Sequence, residues 1–286
     1  MPIAVIALDF DPILRLGDIT IRWQAIALAG TLLAGLALTA LRARRIGLRS
    51  DDLLLLVVGA VPGAVVGGRL GYVVGHLDYY ASHTGAIVDP GQGSATLSLA
   101  IVGAALTAGI VAHLLGTPLR PWLHAAAVPL LLVLALGKLT MVLGGSGQGL
   151  PAELPWATAY VGPGPWGSLA PGIPAHPAQV YEAVATGIVA VLIGAGSRRF
   201  DPRSGRAFLV GVGLWSVGRV VVGTTWRDAQ VVGPLRAEQL LAVGVAAGCV
   251  LLAIVVRSPA EPDRHGRRDA EPGVPQWPDP STRPRF

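Results

Sequence analysis

Charged residues and cysteine are both scarce in this chain of 286 residues. Charged side chains make up only 14% of it, whereas a soluble domain carries about 25%. The one cysteine, Cys249, excludes an internal disulfide and a metal site built from paired cysteines. What remains is apolar, since 52% of the residues are hydrophobic and the mean hydropathy is +0.58. This composition indicates an integral membrane protein.

Seven apolar runs are long enough to cross a bilayer, for which a helix needs about 20 mostly apolar residues. We therefore predict an all-α integral membrane protein in which seven transmembrane helices form one bundle with short loops. The predicted spans are 24–41, 53–75, 97–115, 124–143, 180–197, 207–223 and 237–256.

Arginines collect after the first span, between the third and fourth, between the fifth and sixth, and after the seventh. All four groups fall on one side if the N-terminus is outside and the C-terminus is cytoplasmic, as the positive-inside rule requires. The expected organisation is an outer-face N-terminal arm (1–23), a seven-helix membrane domain (24–257) and a disordered cytoplasmic tail (258–286). The net charge of +5 comes from the inner loops and requires no nucleic-acid partner.

Three cations lie within predicted spans rather than beside them: Arg69, Lys138 and Arg219. Lys138 is the only lysine of the chain. Each precedes the outer end of its helix by a similar number of residues, so the three are expected at one depth. A cation inside the membrane usually faces a polar cavity, and we interpret the three as ligands of one phospholipid phosphate. The alternative is that each side chain reaches up to the headgroups independently.

The segment "IPAHPAQVYEA" leads into the fifth span and carries several polar side chains. His176 is a candidate base or ligand. Gln179, Tyr181 and Glu182 follow in the first turns of the helix, where a carboxylate is favoured by the positive helix end. The alternative is a capping and anchoring segment. After the sixth span, Arg227 and Asp228 are expected to pair at the outer surface, where such a pair contributes little.

These segments, taken in order, resemble the prolipoprotein diacylglyceryl transferases. "GGRLGYVVGH" (67–76) is similar to the arginine-containing segment of the family's second helix. "HPAQVYEA" (176–183) is similar to its HPSQLYEA, and "GRVVV" followed by "RDAQ" (218–230) to its sixth-helix arginine and the element after it. "AEQLLAV" (237–243) stands where the family's last helix begins with a GQ pair. The resemblance covers about residues 18–256.

The chain departs from the family pattern at several polar positions. The family signature has an arginine where this chain has Lys138, and asparagines and a glutamate where it has Met141, Gly144 and Ser146. Ser98 stands in the place of a histidine proposed as the base. Lysine keeps the positive charge but lacks the planar fork with which arginine grips phosphate.

The resemblance implies a bacterial plasma-membrane enzyme whose site faces the outer leaflet. It would move the diacylglyceryl group of phosphatidylglycerol to the lipobox cysteine thiol of a lipoprotein precursor. Arg69, Lys138 and Arg219 would hold the phosphate, Arg219 would also act in catalysis, and His176 or Glu182 would serve as base. Matching positions at Gln179, Tyr181 and Arg227 would belong to the same site. No metal or organic cofactor is implied.

Two other functions are compatible with the residues. The first is a non-catalytic family relative that binds anionic phospholipid or lipoprotein precursors, which the altered signature favours. The second is a transporter of an anionic lipid, which the expected group of cations fits but the absence of internal repeats disfavours.

Overall fold

The computed structural model describes residues 5–89 and 93–255, and it confirms the seven long apolar helices. These are α1 (Trp23–Arg45), α2 (Ser50–Gly75), α4 (Leu97–Leu114), α5 (Leu119–Gly144), α6 (Ala178–Ala195), α7 (Arg206–Val222) and α8 (Ala237–Val255), with a short α3 (Leu77–Ser82) after α2. Each of the seven is long and apolar enough to cross a membrane. The tail predicted at 258–286 lies outside the described residues.

The helix ends agree with the predicted spans to within a few residues, and the largest shift is at α5. This helix begins at Leu119, five positions before its predicted start at 124. The first turn contains Pro121, which is tolerated there because the first N–H groups of a helix need no intrahelical partner. Trp122 fastens this turn by donating from Nε1 to Thr117 Oγ1 at 3.1 Å. Hydropathy alone therefore placed the start too late.

Short strands accompany the helices, which the all-α prediction did not include. They pair in three two-stranded sheets: β1 (Ile6–Leu8) with β4 (Thr158–Tyr160) in parallel, β2 (Ile13–Leu16) with β3 (Ile19–Arg22), and β5 (Gln230–Val232) with β6 (Leu235–Arg236), the last two antiparallel. The predicted N-terminal arm thus contains β1 and a β2–β3 hairpin. All three sheets lie outside the helices, in the N-terminal arm and in connecting segments, where the backbone has no helical partners for its N–H and C=O groups.

The two ends of the bundle differ in character. At one end Arg42 donates from Nε to the carbonyl of Ala125 at 3.2 Å, and Gly205 approaches the backbone of Arg120. We call the opposite end the cap end; it consists of residues 5–22, 76–89, 93–96, 145–177 and 223–236. There the backbone N–H of Leu150 donates to Thr225 at 2.7 Å, which ties two of these connections together.

The helices form two groups with different packing. The buried core lies among α5, α6, α7 and α8 and includes Leu131, Ile193, Val212 and Trp215. Helix α1 packs on α5, and α2 packs mainly against α4. At the α2–α4 crossing the two backbones meet at Gly63 and Gly103, since a Cβ built on either glycine would overlap the other's carbonyl oxygen. Small residues permit such close helix contacts in membranes.

We expect Gly103→Ala to destabilise the protein, because the added methyl group forces α2 and α4 apart. The expected cost is about 1–3 kcal/mol, typical of overpacking, and it is measured as a fall in the thermal unfolding midpoint in detergent. Gly187→Ala is the matched control, since Gly187 lies on α6 and no neighbouring atom comes within 4 Å of the position that its added methyl group would occupy. Equal midpoints for both variants would contradict the close α2–α4 contact.

Candidate active site

A polar cavity of about 290 Å³ opens at the cap end of the bundle. Its charged lining is three cations and three carboxylates: Lys138, Arg219, Arg227, Glu182, Asp228 and Glu238. Gly147, Gln148, Gln179 and Trp226 complete the lining. Helices α5 and α7 end at this cavity while α6 and α8 begin there, so four helix termini contribute to it.

Glu182 is the centre of the charged cluster. Its Oε2 lies 2.9 Å from Lys138 Nζ, and its Oε1 accepts a hydrogen bond from Arg219 Nη1. The Glu182 side chain is 2% exposed and that of Arg219 is 4% exposed, whereas Lys138 is 20% exposed. A buried carboxylate requires such partners, because an unpaired charge is costly to remove from water. The carboxylate therefore holds two of the predicted cations together across three helices.

Arg219 is held on several sides. Besides Glu182, it contacts Glu238 Oε2 through Nη2 at 3.1 Å. Its guanidinium carbon lies 5.1 Å from the ring centre of Trp215 and 4.8 Å from that of Trp226, distances at which a cation is attracted to an aromatic face. These contacts fix the orientation of the guanidinium within the cavity wall.

Glu238 is a site residue that the sequence analysis missed. Besides Arg219, its carboxylate accepts hydrogen bonds from Ser98 Oγ at 2.9 Å and from the backbone N–H of Leu97 at 3.1 Å. It thus caps the N-terminus of α4, where a negative charge is favoured by the helix dipole. An acidic residue in the first turn of an apolar helix was the sequence signal that could have identified Glu238. The match to the family's GQ pair pointed instead to the neighbouring Gln239.

Arg69 lies on α2 and apart from this cavity, and its side chain reaches the cap-end connection that follows the helix. Its Nε donates to the carbonyl of Ile87 at 2.8 Å, and its Nη2 donates to the carbonyls of Ala86 at 2.5 Å and Asp89 at 3.1 Å. The guanidinium also lies 5.4 Å from the ring centre of Tyr80. The structure therefore brings Lys138 and Arg219 together as predicted, but it does not bring Arg69 to them. Arg69 instead organises a loop.

Of the predicted site residues on the segment that leads into α6, Gln179 and Glu182 line the cavity, whereas His176 and Tyr181 do not. The Tyr181 hydroxyl accepts a hydrogen bond from Trp156 Nε1 at 2.7 Å and lies 3.4 Å from His176 Nδ1. These contacts are those of an anchoring segment.

Gln179 donates from Nε2 to the Tyr160 hydroxyl at 3.1 Å. Burial raises the pKa of Tyr160 to about 12, and the hydrogen bond from Gln179 opposes part of that rise. Tyr160 is therefore a neutral hydroxyl at physiological pH, and it fixes the amide of Gln179 at the wall of the cavity.

Arg227 joins two cap-end segments at the cavity. Its Nε donates to the carbonyl of Gly149, and its Nη1 lies 3.4 Å from Ser168 Oγ. The predicted pair with Asp228 is wrong, because the ion pairs of the described residues do not include it. Asp228 is exposed, and its carbonyl instead accepts a hydrogen bond from Arg236 Nε at 2.9 Å.

Fold and site together define a class: a multi-pass helical membrane protein with a charged cavity at the end of its bundle. The sequence model of the prolipoprotein diacylglyceryl transferases matches residues 12–255, and the chain belongs to this family. A phosphatidylglycerol–prolipoprotein diacylglyceryl transferase of Nostoc sp. is 31% identical over 277 residues, which cover 92% of this chain and 96% of that protein. One of Clostridioides difficile is 25% identical over 234 residues, which cover 81% and 90%.

Proposed function

We propose that this chain transfers the diacylglyceryl group of phosphatidylglycerol to the cysteine thiol of a lipoprotein precursor. The observation that carries the proposal is the convergence of Lys138 and Arg219 on Glu182 in one cavity of a family member. Arg227 adds a third cation to the same wall. Donors fixed in advance stabilise charge that develops on a leaving group, because they need not reorganise during the reaction.

In this mechanism the phosphodiester enters the cavity beside Lys138 and Arg219, which Glu182 joins. The thiolate of the precursor attacks the glyceryl carbon that bears the phosphate ester, and glycerol phosphate leaves. The second negative charge of the leaving group develops beside the Lys138 ammonium, because the Lys138 side chain is more exposed to the cavity than that of Arg219. The product is a thioether, and all chemical steps use groups of the chain and its two substrates.

The orientation of the site in the membrane belongs to the same proposal. The α1–α2, α4–α5 and α6–α7 connections contain several arginines. They alternate along the chain with the connections of the cap end, so they lie at the other end of the bundle. The positive-inside rule assigns those connections to the cytoplasm. The cavity then faces the outer leaflet of a bacterial plasma membrane, where both the lipid and a translocated precursor are accessible.

Lys138→Ala is expected to slow the transfer about 10²-fold, since one donor to the leaving phosphate is lost. Lys138→Arg is expected to retain activity within about tenfold, because arginine supplies the same charge with two parallel donors. The assay uses purified protein in detergent with phosphatidylglycerol and a lipobox-type cysteine peptide. It follows glycerol phosphate release and the mass gain of the peptide. Wild-type activity in the Lys138→Ala variant would remove Lys138 from the mechanism.

The second candidate is a non-catalytic relative that binds anionic phospholipid or precursors. Two observations favour it. Carboxylates of the cavity already neutralise Lys138 and Arg219. The signature asparagines and glutamate of the family are replaced in this chain. The same transfer assay distinguishes the transferase from the non-catalytic binding protein. Phosphatidylglycerol binding without any turnover, in conditions where a signature-bearing relative is active, would establish the binding function.

A further inference from the structure

We infer that Glu238 accepts the proton of the incoming cysteine thiol and that Ser98 orients the Glu238 carboxylate for this step. The inference rests on the proposed function, because it assigns a base to that reaction. In that reaction the attacked carbon is bonded to an ester oxygen of the phosphate. The base must therefore lie within a few ångströms of the cations that hold the phosphate.

Glu238 meets this requirement. It lines the cavity, and its Oε2 lies 3.1 Å from Arg219 Nη2. Arg219 directs its other terminal nitrogen, Nη1, to Glu182 on the Lys138 side of the cluster. The guanidinium thus separates the Lys138 side of the cavity from the Glu238 side. A phosphate beside Lys138 and a thiol beside Glu238 would approach the same carbon from different directions, as a displacement requires.

The exposure and pairing of the carboxylates distinguish Glu238 from Glu182. The Glu182 side chain is 2% exposed, and each of its oxygens is held by a cation. A proton acceptor in that position would have to abandon one of two buried ion pairs. The Glu238 side chain is 19% exposed and has one cationic partner, Arg219. Its carboxylate is therefore accessible from the cavity and takes part in one ion pair, whereas Glu182 takes part in two.

The other candidates for the base, His176 and Asp228, have less suitable positions. His176 does not line the cavity, and its ring faces Tyr181 in the anchoring segment. Asp228 lines the cavity but is exposed, and none of the ion pairs of the described residues joins it to Lys138 or Arg219. Among these carboxylates and the histidine, Glu238 combines a place at the cavity, accessibility and contact with a phosphate-binding cation.

Ser98 fixes the direction of the Glu238 carboxylate. Its buried hydroxyl donates to Oε2 at 2.9 Å, while the N–H of Leu97 donates to Oε1 at 3.1 Å. Two donors from the first turn of α4 thus hold both oxygens of a side chain that belongs to α8. Ser98 has no contact with the reacting atoms in this arrangement and is a positioning residue.

The proposed step balances in atoms and charge. Glu238 takes the proton from sulfur as the S–C bond forms and the carbon–oxygen bond of the phosphate ester breaks. The electron pair of the broken bond stays on the phosphate oxygen. The proton then passes from Glu238 to the departing glycerol phosphate, which restores the carboxylate. General base catalysis by a positioned carboxylate contributes about 10²–10⁴-fold.

The experiment compares two peptides, one with the lipobox cysteine and one with selenocysteine in its place. A selenol is largely ionised at neutral pH and needs no base. We expect Glu238→Gln to slow transfer to the cysteine peptide at least about 10²-fold, while transfer to the selenocysteine peptide stays close to the wild-type rate. Ser98→Ala is expected to lower the rate with the cysteine peptide, relative to the rate with the selenocysteine peptide, by about tenfold. Glu153→Gln, at an exposed glutamate of the 145–177 connection, is the matched control.

Each outcome decides between the parts of the proposal. Equal losses of Glu238→Gln on both peptides, or wild-type rates on both, would overturn the assignment of Glu238 as base while leaving the transferase function in place. A wild-type protein that transfers to neither peptide would instead overturn the proposed function. Phosphatidylglycerol binding by Glu238→Gln, measured alongside, is expected to be at least as tight as that of wild type, because one negative charge is removed from the cavity.

Discussion

Arg219→Ala is expected to slow diacylglyceryl transfer about 10³-fold, a larger loss of activity than that of Lys138→Ala. The substitution removes the donor that faces the phosphate, and it also leaves Glu182 and Glu238 without their shared cation. The cavity then changes from three cations and three carboxylates to an excess of negative charge, which repels an anionic lipid. The measurement is the initial rate of glycerol phosphate release together with phosphatidylglycerol binding.

Arg206→Ala is the matched control for this experiment. Arg206 is exposed and begins α7, the helix on which Arg219 lies near the opposite end. The same side chain is thus removed from the same helix far from the cavity, and the rate should stay at the wild-type value. If both arginine variants are equally active, Arg219 takes no part in the reaction.

The second large effect concerns stability: Glu182→Gln is expected to lower the free energy of unfolding by about 3–5 kcal/mol. The carboxylate is 2% exposed between two cations, so its loss leaves Lys138 without its acidic partner and Arg219 with Glu238 alone. Thermal unfolding in detergent measures the effect. Asp11→Asn, which breaks the exposed pair with Arg15, is the comparison and should leave the midpoint unchanged.

A double variant tests whether the loss comes from charge imbalance. Lys138→Met combined with Glu182→Gln removes one charge of each sign, while the contact between Arg219 and Glu238 remains. We expect this variant to unfold at a higher temperature than Glu182→Gln alone. An additive or lower midpoint would mean that Glu182 stabilises the bundle through packing and hydrogen bonding, with little contribution from the balance of charges.

The positions of the helices could be predicted because hydropathy reports directly on how long an apolar run is. All seven spans agree with the structure to within about five residues. The largest shift, at the start of α5, arose because Arg120 and Pro121 lower the local hydropathy. The motifs around Lys138, Glu182 and Arg219 could be assigned in the same way, since their order along the chain is independent of packing. The short strands escaped prediction because strands of two to four residues leave too short a periodic pattern.

The sequence by itself therefore determined the seven long apolar helices, the family, and the three cations that line the cavity. Depth along a helix follows from counting residues, and it placed Arg69 level with Lys138 and Arg219. Only the tertiary structure decided the direction in which each side chain points. It turned Arg69 to the carbonyls of a loop, set Glu182 between Lys138 and Arg219, and brought Glu238 of α8 to Ser98 of α4. The physical reason is that rotation about a helix axis depends on the packing of neighbouring helices, which depth and hydropathy leave undetermined.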